Sequence, residues 1–191
     1  DPITFEPIAL ATHLKKDGLK GKRIGIVRNL MGYHPQLDKV FDAQLATLRE
    51  AGAIIVENAN IENKGSWNDD EFTVLLTEFK ADEKNMVDQE RTMPIFGQET
   101  FLRAQQSPST TDQVYIDALA RAKRKAGKEG IDATLAKYEV DLLIAPTTAP
   151  AWKIDHIDGD HFLGSAIGAA AVAGYPHITV PMGDVSGMPV N

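Results

Sequence analysis

The chain has 191 residues, of which 43% are hydrophobic and 25% charged, with a formal net charge of −7 and no cysteine. Such a length and composition suit one ordinary globular domain with a real core. The acidic balance argues against a general nucleic-acid binder, the lack of cysteine excludes disulfides and thiolate chemistry, and no apolar run approaches membrane-spanning length.

The sequence opens on Asp1-Pro2 rather than on methionine and shows no signal peptide. A true N-terminus upstream stays open, and the cytoplasm is the expected compartment. Lys22 to Arg28 alternates and then runs apolar, which predicts a strand. Leu37, Val40, Phe41, Leu45 and Leu48 recur at helical spacing with Pro35 near the start, and Gly52 stops that helix. Ala53 to Val56 reads as a second strand, so this is a βαβ unit with parallel strands. Ser66 or Asn68 opens a helix through Phe72, Leu75, Leu76 and Phe79. Further helices are predicted from Gln98 to Gln106 and from Asp112 to about Lys137, the second with a break at Gly127 or Gly130.

From Asp141 onward the pattern is the most informative. Leu142 to Ala145 is a short apolar run closed by Pro146, which predicts a strand buried on both faces. His177 to Val180, between Pro176 and Pro181, predicts another strand. Between them Ser165 is placed to cap a helix over Ala166 to Ala173, ended by Gly174. Side chains that small suit deep burial against a sheet. Together the elements make one α/β unit over residues 1–191.

Each chemical motif has a plain structural reading beside it. The loop Asp155 to His161 offers carboxylates and imidazoles, but adjacent loop residues point apart and no ligand spacing rule is met, so a polar rim loop is favoured over a metal site. Arg121, Lys123, Arg124 and Lys125 read as a solvated helix face rather than an anion site. Gly164-Ser165 lacks the Gly-x-Ser-x-Gly pattern of a nucleophile elbow. Trp152 and Phe162 could line a pocket, but composition alone favours core. Two classes survive: part of a hydrolytic α/β enzyme, and a small-molecule-binding or regulatory α/β domain without activity. A metal-dependent hydrolase using the 155–161 loop ranks below both.

A resemblance separates them. Glu78-Phe79-Lys80-Ala81-Asp82, Phe96-Gly97-Gln98-Glu99, Gly130-Ile131-Asp132-Ala133, Ala145-Pro146-Thr147-Thr148, Gly159-Asp160-x-Phe162 and the run Ala169 to Pro176 resemble the amidase signature family, and within it the peptide amidases and their bacterial relatives. Each motif is weak alone, but the combination is specific and runs over nearly the whole chain. The resemblance implies a mixed, mostly parallel sheet wrapped by helices. It also implies hydrolysis of a carboxamide by a serine nucleophile, a second serine in a cis peptide and a lysine base, with no metal or other cofactor. It further implies a cleft wall bordered by Trp152 and Phe162, with Gln98 and Thr147 as weaker candidates.

The chain resembles only the C-terminal half of the family. No Gly-Gly-Ser-Ser-Gly-like run occurs, so no residue here inherits the nucleophile or the base. The expected partners are a small-molecule or peptide amide and the N-terminal half of the same protein. Family members carry a further helix and loop between the positions of Asp82 and Glu83, so a segment is expected to be missing there. Members that take free glutamine hold it with an acidic residue near Gly164, and its absence points away from an amidotransferase subunit.

Overall fold

The structure, a computed structural model, describes residues 14–82, 97 and 99–191. Strand β1 (Arg23–Ile26) lies at the centre of a three-stranded sheet, paired in parallel with β2 (Ile54–Val56) and with β3 (Leu142–Ile144). Helix α1 (Pro35–Glu50) makes the crossover from β1 to β2, as the βαβ reading expects. His34 caps α1 with its ring Nδ1, which accepts the Leu37 N–H at 3.2 Å, and Pro35 occupies the first turn, where its missing N–H costs nothing.

Alternation along β1 divides the core. Ile24 and Ile26 pack with Phe41, Leu45 and Ala53 on the α1 side. Val27 joins Ile61, Trp67, Ala122, Ala126 and Ala169 in a second cluster. Full burial of Ile24, Ile26 and Leu37 contributes about 2 kcal/mol each. Gly25 is set by close approach: a β-carbon there would stand 2.8 Å from Ala59 Cβ and 2.8 Å from Leu143 Cδ2.

Helix α2 (Asn68–Asp82) packs on α3 (Glu99–Gln105) and on α4 (Gln113–Ala126). Ala118, Ala122 and Ala126 form the buried stripe of α4, spaced four apart on one face. The long predicted helix is interrupted where the glycines suggest: a π-helical segment, Gly127–Asp132, separates α4 from α5 (Ala133–Tyr138). After β3 come α6 (Gly168–Ala173) and the antiparallel hairpin of β4 (Gly183–Val185) and β5 (Met188–Val190). Val185 and Val190 of the hairpin pack with Leu37 of α1. The architecture is the expected mixed, mostly parallel α/β one.

Several expectations are corrected. His177 to Val180 forms no strand, because no neighbouring strand among the described residues offers it a ladder, and Ile178 and Val180 are exposed. Strand β3 is half-buried rather than buried on both faces, because among the described residues it is an edge strand paired with β1 alone. Ser165 does not cap the alanine-rich helix: α6 starts three residues later without a side-chain cap, and Ser165 instead bridges to Thr148. Only Ala169 of α6 is buried, while Gly174 ends the helix with φ 73° as expected. The sequence pattern predicts no hairpin over residues 183–190, where Ser186 (φ 55°) and Gly187 (φ 82°) form the two-residue turn.

The basic cluster on α4 is only partly a solvated face. Asp70 is buried at the start of α2, and its Oδ1 accepts Nε and Nη2 of Arg121 at 3.0 and 2.8 Å. Lys125 Nζ reaches Asp70 Oδ2 at 2.8 Å and the Ser66 carbonyl at 2.9 Å. Residues 121 and 125 are one helical turn apart, which aims both cations at one carboxylate. The hydrogen bonds from Arg121, followed by those from Lys125, hold the Asp70 carboxyl below its ordinary range against the opposing effect of burial.

Candidate substrate cleft

The carboxyl ends of β1 and β3 lie side by side, with Ile26 opposite Ile144 and the Val27 N–H donating to the Ile144 carbonyl at 3.1 Å. In open parallel sheets such ends face the binding crevice. Beyond β1 a 3₁₀ turn, Arg28–Leu30, is anchored by Asn29, whose amide donates to the Ile61 carbonyl at 2.8 Å. Beyond β3 the buried Pro146 ends the ladder and Thr147 begins the loop.

Two arms form the stalk of that loop. Thr148 and Ser165 make an antiparallel bridge, the Ala166 N–H donates to the Thr147 carbonyl at 2.9 Å, and the Ala149 N–H donates to the Gly164 carbonyl at 3.2 Å. The stalk brings Trp152 and Phe162 together, their rings edge-on with centroids 6.2 Å apart and planes at 65°. Trp152 is 38% exposed and Phe162 59%, so neither is core. Composition alone favours core for them, and their position on an exposed loop overrides that. Trp152 Nε1 points to Asp160 Oδ1 at 3.4 Å.

Thr147 lies at the base of the stalk. Its N–H donates to the Asn191 carbonyl, and its hydroxyl meets that of Thr179, each at 2.8 Å. A second hydroxyl is not a base, so this pair has no means of activating a nucleophile. The structure therefore joins Trp152 to Phe162 directly and sets Thr147 on the same loop. Gln98 lies outside the described residues, as does the Asp82–Glu83 junction.

Tyr33 belongs to this region and carries no sequence signal. Its ring lies against Gly164, where a β-carbon would come within 2.6 Å of Tyr33 Cδ1, so no larger side chain fits there without moving the ring. Its hydroxyl is buried without a hydrogen-bond partner among the described residues. Burial, and then the charge of Asp38, push its ionisation up to about 12, so the phenol is neutral at any working pH.

The tip of the loop closes on itself. Asp155 Oδ1 accepts the N–H groups of Ile157 and Asp158 at 2.8 and 3.0 Å, and these bonds, that from Asp158 first, lower the carboxyl's pKa. Its lone pairs serve a turn. Among the described residues no group of three or more acidic or histidine side chains gathers to hold a metal. A hollow of about 260 Å³, lined by Thr73, Leu76, Arg103, Gln106, Ser107 and Pro108, belongs to the packing of α2 and α3 rather than to the strand ends. No described helix is long and apolar enough to cross a membrane.

Comparison with known proteins gives a consistent result. The family model Amidase matches residues 3–191. A protein of Arabidopsis thaliana described as a "Probable amidase" is 29% identical over 204 residues, covering 92% of this chain and 35% of that protein. The crystal structure of the peptide amidase PAM in complex with the competitive inhibitor chymostatin superposes with a TM-score of 0.84 at 36% identity, covering 98% of this chain and 42% of that one. The native peptide amidase from Stenotrophomonas maltophilia gives 0.80 at 35% identity, with the same coverages of 98% and 42%. A bacterial aryl acylamidase of the amidase signature family shares the fold, with a TM-score of 0.63 at 16% identity. The chain thus spans between about a third and two fifths of the length of these relatives.

Proposed function

The chain belongs to the amidase family, and from that premise we propose that it is the C-terminal part of an amidase that hydrolyses a carboxamide C–N bond. The observation that carries the reading is the exposed Trp152–Phe162 pair on a loop rising from the carboxyl ends of parallel strands. Such an edge-on pair offers an angled apolar contact to a substrate side chain or acyl group, with the Asp160 carboxylate beside it for polar recognition. Thr147 and Gln98 are assigned the base of the same wall. The presence of peptide amidases among the similar structures favours a peptide or small linear amide as the substrate class.

The nucleophile and base are assigned to the remainder of the protein. A serine Oγ attacks the carboxamide carbon, its proton passing through a second serine, held in a cis peptide, to a lysine. Collapse of the tetrahedral intermediate expels the amine, which takes that proton, and water then releases the acid from the acyl-enzyme. Backbone N–H donors stabilise the oxyanion. No step needs a residue of this chain as acid, base or nucleophile, which is consistent with the neutral hydroxyl pair at Thr147.

The test is turnover of several carboxamides by the purified 191-residue chain, alone and combined with the upstream part. The chain alone is expected to be inactive, and the pair active. Robust turnover by the chain alone, shown by intact mass to be free of a longer enzyme, would overturn the assignment.

A further inference from the structure

The stalk that carries Trp152 and Phe162 leans on Tyr33, a side chain to which the functional reading gives no role. Gly164 lies in the stalk, two residues after Phe162. Its carbonyl accepts the Ala149 N–H and the Thr148 hydroxyl, each at 3.2 Å. On the Tyr33 side, a β-carbon at Gly164 would stand 2.6 Å from Cδ1, 2.9 Å from Cγ and 3.0 Å from Cε1 of the ring. The contact thus reaches down to Cγ, the ring atom nearest the backbone. A flexible tip could swing aside, but Cγ moves only if the whole ring changes rotamer or the stalk itself shifts.

Tyr33 is fixed by elements that do not belong to the loop. It directly precedes His34, the cap of α1, and its ring packs against the cluster of Leu37, Val185 and Val190. Leu37 is fully buried in α1, and the two valines come from the hairpin of β4 and β5. One ring therefore joins the start of α1 to the middle of the stalk. Ala149, hydrogen-bonded to Gly164, is buried, and Trp152 follows it by three residues. A shift at Gly164 is passed to Phe162 along its own strand and to Trp152 through that hydrogen bond.

We infer that Tyr33 is a positioning residue that sets where the Trp152–Phe162 pair stands over the substrate cleft, acting through its contact with Gly164. Tyr33 itself need not touch substrate. The effect on substrate selection rests on the amidase reading above, whereas the effect on the stalk does not.

The experiment uses the full-length enzyme that contains this chain. Gly164→Ala pushes a methyl group into the ring, Tyr33→Ala removes the ring, and the double variant gives the methyl group room. Tyr33→Phe keeps the ring as the conservative variant. Hydrogen exchange at the Ala149 and Ala166 amides, both hydrogen-bonded within the stalk, should accelerate roughly fivefold in Gly164→Ala, as expected for local opening, with the β1 amides unchanged. KM for an amide with a bulky side chain should rise roughly fivefold in each alanine variant while kcat stays within about twofold, a split that loss of stability would not produce. Tyr33→Phe should restore the wild-type KM. In the double variant KM should rise less than about tenfold, where independent effects would multiply to about 25-fold. Any cost that Gly164→Ala carries in its own backbone is the same in both backgrounds, so it multiplies and cannot mimic this rescue. Unchanged exchange at Ala149 and Ala166 in Gly164→Ala overturns the positioning role, and this variant decides alone if Tyr33→Ala fails to fold. Accelerated exchange with wild-type KM overturns the link to the cleft, and a multiplicative double variant overturns the pairing with Tyr33. A wild-type enzyme inactive on every carboxamide overturns the amidase reading alone, since the exchange result still decides the contact.

Discussion

Asp70→Asn tests the ionic clamp that ties α2 to α4. The substitution keeps shape and removes charge, leaving Arg121 and Lys125 facing a neutral amide that cannot accept from both on equal terms. Breaking a fully buried ion pair costs roughly 3–5 kcal/mol, and an exposed pair is worth up to about 1 kcal/mol. Here the Asp70 side chain is 11% exposed, Lys125 27% and Arg121 46%, so the case is intermediate and the expected loss is about 2 kcal/mol. For a chain of this size that lowers Tm by about 4–8 °C, measured by circular dichroism at pH 7. The pH dependence has a definite sign. A carboxyl whose pKa is lowered by folding contributes stability that is present above its unfolded value and lost as pH falls through the folded one. The gap between wild type and variant should therefore stay constant from pH 8 to pH 5 and narrow below about pH 4, near the unfolded carboxyl value. A Tm within 1 °C of wild type at pH 7, or a gap that keeps its size at pH 3, would refute the account.

Gly25→Ala should destabilise by about 2 kcal/mol in denaturant titration through overpacking against Ala59 and Leu143; a neutral or stabilising result would mean that these side chains withdraw freely. Phe162→Ala in the full-length enzyme should cost about 1 kcal/mol of stability, the scale of an edge-on aromatic pair. The same variant should lower kcat/KM for a bulky amide roughly tenfold relative to a small one; an unchanged ratio would return Phe162 to a packing role. Elemental analysis after dialysis should find no stoichiometric zinc or manganese, because the Asp155 carboxylate is committed to its own turn; an equimolar metal together with chelator-sensitive activity would revive the metal-hydrolase alternative. The isolated chain should self-associate in sedimentation, since Ile154, Ile157, Ile178 and Val180 are exposed together with the Trp152–Phe162 pair; a clean, stable monomer would contradict that expectation.

Local rules made much of the fold legible. Pro35 and Gly52 bracket α1, the i and i+4 apolar residues name its buried face, and the short apolar runs name β1, β2 and β3. These signals depend on steric limits and side-chain periods that act over a few residues, so no tertiary information is needed to read them. Glycines 127 and 130 likewise announced a break in the long helix, although not that it would be π-helical. Of the candidate cleft, motif resemblance points to Trp152, Phe162 and Thr147, and the tertiary structure adds what links them: the Thr148–Ser165 stalk, the ring contact and the Thr179 hydroxyl.

What only the tertiary structure decided depends on partners distant in sequence. His177 to Val180 has the composition of a strand, but a strand exists only where a neighbour completes its ladder, and none of the described residues does so. Ser165 has the chemistry of a cap, but bridging to Thr148 takes it away from the helix start. The Arg121–Lys125 cluster looks like a solvated face until α2 brings Asp70 against it. Tyr33 has no distinguishing spacing, and its placement comes from Gly164, which lies under its ring. Propensity and periodicity are properties of a segment, whereas burial, pairing and charge compensation are properties of the assembled surfaces.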